Sequence, residues 1–424
     1  MKNRSKNKQN NNAHKKFCHY AECRFYFSTH LFFGGITRCC LFSSALLVCY
    51  DKVGGSLVRL FSWVITNKYD LHVGDVPHMS SNSGVTKKGA LPSKPNKTHK
   101  NERCSHNLSL QNIWRWFDSE AGFEPSATTS DENVRKIDWL RCVPFIFVHL
   151  ACFAVLWTGW SPVAVIVCLG LLWLRMFAVT AFYHRYFSHR SFKTSRGWQF
   201  AFALLGNTAA QRGPLWWASH HRKHHRHSDD TQDLHSPKQY GFWWSHLLWF
   251  MSKEGFKTDY SMVKDLARYP ELRFLNRFDA LVPVIFAILV YCLGESIAFV
   301  WPESSTSGWQ MLVWGFFIST VLLFHSTFTI NSLGHIWGSR RFNTTDTSRN
   351  NVWLALLTLG EGWHNNHHRY SGAARQGFYW WEIDISYAVL KLLNFVGIVS
   401  DLRPVPKRVL QEGRKHKPLS GSSE

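Results

Sequence analysis

Residues 142–183 read CVPFIFVHLACFAVLWTGWSPVAVIVCLGLLWLRMFAVTAFY, two apolar runs (Cys142 to Trp157 and Val163 to Tyr183) separated only by Thr158, Gly159, Trp160, Ser161 and Pro162. Runs of this length match the hydrocarbon thickness of a bilayer. A link this short, built from Gly and Pro, leaves room for nothing but an antiparallel helical hairpin. A second pair, Ala280 to Val300 and Trp309 to Ile330, repeats the arrangement around the connection WPESSTSG. The expected fold is therefore all-α and integral to a membrane, with four transmembrane helices in two hairpins (spans 142–157, 163–183, 280–300 and 309–330) inside a membrane domain over 136–405.

Composition agrees. Aromatic residues form 16% of the 424, including 21 Trp and 32 Phe, which is unusual for a soluble protein and ordinary where aromatic side chains sit at bilayer interfaces. The formal charge of +21 raises nucleic acid as a partner, but most of it outside the first hundred residues flanks the apolar runs, so nucleic acid binding is set aside. The ten cysteines form no C-x-x-C pair, and Cys152, Cys168 and Cys292 lie inside apolar runs as small hydrophobes, which argues against a disulfide framework.

Charge also orients the chain. The two short connections carry no Lys or Arg, whereas His184 to Phe278 carries Arg185, Arg190, Lys193, Arg212, Arg222, Lys223 and more. The positive-inside rule then puts both termini and the intervening segment in the cytoplasm. The segment Trp198 to Ala210 is apolar but half a membrane long, and is expected to lie in the interface or re-enter.

Residues 1–135 read as a basic, loosely ordered extension: an Asn/Lys-rich start, a patchy apolar stretch from Leu31 to Thr66 interrupted by Arg38, Asp51, Lys52 and Arg59, and a Ser/Lys/Pro/Asn-rich linker from Ser80 to Asn107, with Met79 as an alternative start. Residues 406–424 read as a basic C-terminal tail.

With this topology the dense histidines share one face of the membrane. They occur in YHRYFSH (183–189), ASHHRKHHRHS (218–228), NSLGHIWG (331–338) and EGWHNNHH (361–368). In H-x-x-H-H the residues at i, i+3 and i+4 lie on one side of a helix, so His221, His224 and His225 converge, as do His364, His367 and His368. With His184, His189 and His335 these make nine imidazoles, more than one ion accepts, so two metals are expected; imidazole alone leaves zinc, copper and iron open. Isolated histidines such as His72, His99, His106 and His416 read as ordinary solvated side chains. The acidic cluster Asp229, Asp230 and Asp233, with His235, Glu361 and Asn365, is placed to support the ligand rings, and His220 and His227 either support them or lie at the surface.

HRYFSH (184–189), HRKHH (221–225), NSLGH (331–335) and GEGWHNNHH (360–368) resemble the histidine boxes of the integral-membrane acyl-CoA desaturases of the stearoyl-CoA delta-9 type, in order, over roughly 137–405. The resemblance implies a helical cytosolic cap carrying a non-haem di-iron centre held by His184, His189, His221, His224, His225, His335, His364, His367 and His368, with Asn331 acting through water. How the ligands divide between the irons is left open. Animal members have an acidic residue where this chain has His220; that difference and the flanking GPLWW look closer to bacterial relatives and leave the acyl carrier, CoA or another, open.

The reaction so implied uses dioxygen and two electrons to remove vicinal hydrogens from a long saturated acyl chain. An alkane C–H has no useful acidity, so an oxidant made at metal is required. An apolar tunnel between the helices is expected, with Trp216, Trp217, Trp243, Trp244, Trp380 and Trp381 at its mouth. The sequence has no H-P-G-G haem motif, so electrons are expected from a separate donor such as a small b-type cytochrome or a ferredoxin. The competing readings are a di-iron membrane hydroxylase and a non-redox metal-binding membrane carrier; the latter would want ligands or charges within the spans, whereas the dense histidines lie outside them, and Arg175 and His325 are among the few residues that interrupt the apolar runs.

Overall fold

The computed structural model describes residues 113–122 and 135–415. The extension before residue 113, with its Leu31 to Thr66 stretch, Met79, linker and His72, His99 and His106, lies outside the described residues, as does His416.

Helices α1 (Trp139–Thr158) and α2 (Pro162–Ser188) form the first hairpin. Asp138 caps α1 by accepting from Arg141 N at 3.3 Å; Ser161 caps α2 through Ala164 N at 3.1 Å, with Pro162 in the first turn where its missing N–H costs nothing. Two shorter helices follow, α3 (Arg196–Asn207) and α4 (Pro214–His227), then α5 (Pro270–Arg277). The second hairpin is α6 (Leu281–Val300) with α7 (Gly308–Ile336). All four long helices have the length and hydropathy to cross a bilayer. The two tight connections meet each other, Ser161 Oγ lying 2.9 Å from Thr306 Oγ1 and Gln310 Nε2 donating to Thr158 O at 3.0 Å.

The expected spans hold with one informative difference. Helices α2 and α7 run more than a turn past the expected ends at 183 and 330, and these overhangs carry the first and third histidine boxes. The last eleven residues of α2, Ala178–Ser188, are wound as a π-helix. Its core face is aromatic: Phe182 stacks on Phe202 of α3 at 3.8 Å between centroids. Gly206 permits the close approach of α3, since a Cβ there would lie 2.2 Å from the Tyr183 ring. The stretch expected to lie in the interface is thus the amphipathic α3, with Phe202, Ala203 and Gly206 buried on α2 and Trp198 and Phe200 exposed.

A short antiparallel pair, Lys193–Thr194 with Val399–Ser400, clips the end of the cap to the segment after α2. Helices α8 (His364–Arg369), α9 (Ile385–Phe395) and α10 (Lys407–Lys415) complete the cap. Two boundaries need correction. Residues 113–122, expected within the loose extension, pack on the domain; and residues 407–415, expected in a tail, form α10, whose Val409 is buried and whose Leu410 O accepts from Tyr379 Oη at 2.9 Å. Polar hydrogen bonds hold 113–122, and α10 packs Val409 and Leu410 against Phe342, Phe378 and Tyr379; these partners are remote along the chain, which is why hydropathy missed both segments.

Candidate metal centre

The nine histidines converge, and they separate into two groups. His184, His189, His221, His225 and His367 place ring nitrogens within 4.8 Å of one another; His224, His335, His364 and His368 do the same. Each H-x-x-H-H triplet is divided between the groups. Helix α4 gives His221 and His225, one turn apart, to the first and His224 to the second, whereas α8 gives His364 and His368 to the second and His367 to the first. The groups are neighbours, the rings of His225 and His368 lying 4.5 Å apart.

His184 and His189 reach one face for a reason of backbone geometry. Five residues along an α-helix turn through about 140° from the starting direction. In the π-helical end of α2 the His189 N–H bonds back to His184 O, five residues earlier, at 3.3 Å, and the two Nε2 atoms come within 3.2 Å.

The nitrogen spacings fit coordination. Within the first group Nε2 atoms pair at 3.0 Å (His184 and His367), 2.8 Å (His189 and His221) and 2.8 Å (His367 and His225); within the second at 3.3 Å (His224 and His368) and 3.1 Å (His335 and His364). Ligands about 2.0–2.1 Å from one metal ion lie about 2.9–3.4 Å from each other, the edge length of the coordination polyhedron.

Behind the rings stand carboxylates. His224 Nδ1 donates to Asp233 at 2.9 Å and His368 Nδ1 to Asp346 at 2.6 Å; His335 Nδ1 lies 3.4 Å from Asp229, and His184 Nδ1 bonds Glu361. The Nε2 atoms of His224 and His368 therefore present lone pairs to each other. A single proton relieves one such contact, whereas a metal ion relieves all of them at once. Burial, followed by the crowding of neighbouring rings, holds His189, His221, His225, His364 and His367 well below the ordinary histidine range. Burial likewise brings His368 down to about 4 despite Asp346. Asp229, Asp233 and Asp346 go the other way: burial would raise them, but their histidine partners hold them well below the usual carboxylate range.

The supporting residues divide. Asp233 meets His224 Nδ1, and Glu361 meets His184 Nδ1. His235 stacks on His224 at 4.4 Å and faces Asp233. Asn365 serves differently: its Oδ1 accepts from Arg341 N at 2.8 Å and Phe342 N at 2.7 Å, so it fixes a loop, not a ring. His220 belongs to neither group; its Nε2 donates to Lys257 O at 2.9 Å between Trp216 and Trp249, and burial brings it to about 4. His227 stays on the rim beside Asp230. Asp346 and Gln376 were missed, for neither sits at a periodic spacing from a histidine. Gln376 Nε2 donates to Glu361 at 2.9 Å, and Arg185 clamps Glu361 at 3.0 Å and Asp384 at 2.9 Å.

A cavity of about 470 Å³ adjoins the first group, with His221 and Asn331 in its wall and Phe145, Phe324 and Phe328 among its apolar lining. Asn331 stands one turn before His335 on α7. Trp216 and Trp217 line this cavity, Trp217 stacked on His221 at 5.1 Å. The other four expected tryptophans do not: Trp243, Trp380 and Trp381 are exposed at 68%, 85% and 50%, on the outer surface where an amphipathic ring suits an interface, and half-buried Trp244 donates through Nε1 to Leu234 O at 2.8 Å. Arg175 and His325 both turn inward, Arg175 to Thr320 Oγ1 at 2.8 Å and His325 to His246 at 3.1 Å.

The fatty acid desaturase family model matches residues 135–389. The chain is 36% identical over 286 residues to the sn-2 palmitoyl-lipid 9-desaturase of Nostoc sp. (strain 36), covering 66% of this chain and 95% of that protein. It is 37% identical over 279 residues to Delta-9 acyl-lipid desaturase 1 of Arabidopsis thaliana, covering 63% of this chain and 84% of that one. Identity to the acyl-CoA C20 Delta5-desaturase of Anemone leveillei is 35% over 292 residues, covering 66% and 88%. The four apolar helices, the clustered histidines and these likenesses agree: the chain belongs to the fatty acid desaturases, membrane oxidoreductases that introduce a double bond into an acyl chain.

Proposed function

We propose that each histidine group holds one iron: His184, His189, His221, His225 and His367 the first, and His224, His335, His364 and His368 the second, with Asn331 reaching the smaller set through water. The division of ring nitrogens into two sets at coordination spacing carries this reading. When bound, the two irons with dioxygen supply the oxidant that an unactivated methylene pair requires. The chain's own residues do the rest. Asp233, Asp346, Asp229 and Glu361 keep Nδ1 protonated and Nε2 free; the apolar cavity holds the acyl chain and excludes water; Trp217 stacks on His221 at the boundary between the two.

The bond formed is a cis double bond at the ninth carbon of a saturated long chain, a position supported by the names of the Nostoc and Arabidopsis relatives. Distance from the polar end of the cavity to the irons sets this position. Two electrons come from a separate small carrier, a b-type cytochrome or a ferredoxin. The histidine face and both termini are cytoplasmic, supported by the Lys- and Arg-free connections at the opposite end.

Expression in a desaturase-deficient host, with gas chromatography of the total acyl chains, tests the reading. A new cis-9 monoene is expected; a hydroxylated chain with no new double bond would overturn it in favour of a hydroxylase.

A further inference from the structure

Helix α9, over Ile385–Phe395, contains no Asp or Glu and one charged side chain, Lys391. One side of it belongs to the interior of the cap. Leu390 is fully buried, with Leu393 packed on the same core; Ser386 N donates to Leu359 O at 2.9 Å, and Ser386 Oγ lies 2.7 Å from Thr180 Oγ1 of α2. Asp384 caps the helix by accepting from Tyr387 N at 2.9 Å and also accepts from Arg185 at 3.0 Å. These ties fix the rotation of the helix. They leave Ile385, Ala388, Leu392 and Phe395 on the opposite side, at spacings of three, four and three residues, as one exposed apolar stripe. Leu392 and Phe395 are 60% and 86% exposed, where a helix facing water would place polar side chains.

The depth of α9 follows from its contacts. Thr180, beside Ser386, stands 18 residues after Pro162 at the far end of α2, which is about 27 Å along the helix axis. Leu359, whose carbonyl accepts from Ser386 N, is buried against Met176 and Val179 of α2 and Leu323 of α7. Met176 stands 14 residues after Pro162, about 21 Å along the same axis. Hydrocarbon is about 30 Å thick, so with the two tight connections at one boundary of the bilayer both contacts fall within the other. The start of α9 is thus at the level of acyl chains. Neighbouring surface is of the same kind: Trp353 and Leu357, on the short helix Val352–Leu357 that leads to Leu359, are exposed. Lys391 flanks the stripe with a side chain long enough to reach headgroups.

We propose that α9 is a membrane-embedded helix of the cap, with Ile385, Leu392 and Phe395 lying among the acyl chains of the leaflet on the histidine side. The bilayer is the partner because the stripe continues the apolar surface of the four long helices at the depth of Thr180 and Leu359, and because no carboxylate on the helix interrupts it. A cap seated in this way holds its histidines at one height above the acyl chains, since Asp384 at the head of α9 is tied to Arg185, the residue after His184.

The test uses the full chain in vesicles of phosphatidylcholine and phosphatidylglycerol. Phe395→p-acetylphenylalanine accepts a ketone-reactive nitroxide and leaves the native cysteines untouched; the same label at Gln411, exposed on α10, is the reference for water. Oxygen concentrates in hydrocarbon and chromium oxalate stays in water, so the ratio of their collision rates with the label reports its depth. At position 395 this ratio should exceed that at 411 by about ten-fold. A ratio equal to the reference would put the stripe in water and overturn the proposal. A broadened spectrum shielded from both relaxants would mean that protein covers the stripe, another segment of this chain or a second copy, and would overturn it equally; dipolar coupling between labels picks out the second copy. The unaltered protein supplies an independent measurement that no misfolded variant can spoil: phosphatidylcholine with a diazirine near the ester end of its acyl chain should label the peptide holding residues 385–396, and labelling confined to the four long helices would overturn the proposal.

Discussion

The two histidine groups differ in what stands behind them. In the group of four, His224, His335 and His368 each face a carboxylate through Nδ1, from Asp233, Asp229 and Asp346. In the group of five, Glu361 faces His184, and Gln376 lies between the rings of His184 and His367. A carboxylate behind an imidazole raises its basicity and fixes its tautomer. The smaller group thus balances fewer rings with more anionic support, and the larger does the reverse. Two neighbouring groups built from one residue type are in this way given different electronic surroundings.

The most severe way to break this comparison is to remove a ring from each side. His221→Ala and His224→Ala should each abolish desaturation, and each should leave roughly one iron per chain in place of roughly two, with different irons lost. Metal analysis and Mössbauer spectra check this, and identical residual spectra would contradict the division. Next comes the anionic support. Asp346→Asn should weaken metal binding or activity by about 10–100-fold, with the loss falling on the group of four, while Glu361→Gln should act on the group of five. Chelator titration of the purified protein separates the two. Trp217→Ala, which uncovers the His221 ring without removing a ligand, should cost about 3 kcal/mol of stability, read from thermal unfolding in detergent, with both irons retained. His227→Ala should do least. That ring stays on the rim, and its loss should shift stability by no more than about 0.5 kcal/mol with iron content unchanged.

Much of this was legible in the sequence because its signals were long or repeated. Four apolar runs and two tight connections prescribed the hairpins, and two copies of H-x-x-H-H marked the converging helices. Spacing could not tell that each triplet would be shared between two groups, since residues at i and i+4 align along a helix while the one at i+3 leans toward the neighbouring site. Nor could it find Asp346, which meets His368 only after the loop from Gly338 to Asn351 folds back onto α8. Asn365 was misread for the converse reason: it sits among histidines in sequence, but its side chain points to the backbone of Arg341 and Phe342. The segment at 113–122 shows the same limit, for its partners Arg141, Asn276 and Arg277 are remote along the chain.

The wide winding at the end of α2 makes helix pitch and sequence length exchangeable. His184 and His189 are five residues apart, and the broadened turns absorb the residue that a regular helix would leave facing away. Deleting one residue between them would give a spacing of four, which an ordinary α-helix already satisfies. The same directional requirement can therefore be met by a shorter motif on a narrower coil, so a single-residue deletion at this point trades one helical form for another and need not destroy the site. Elsewhere in α2, where the winding is regular, the same deletion would rotate every later side chain by about 100°.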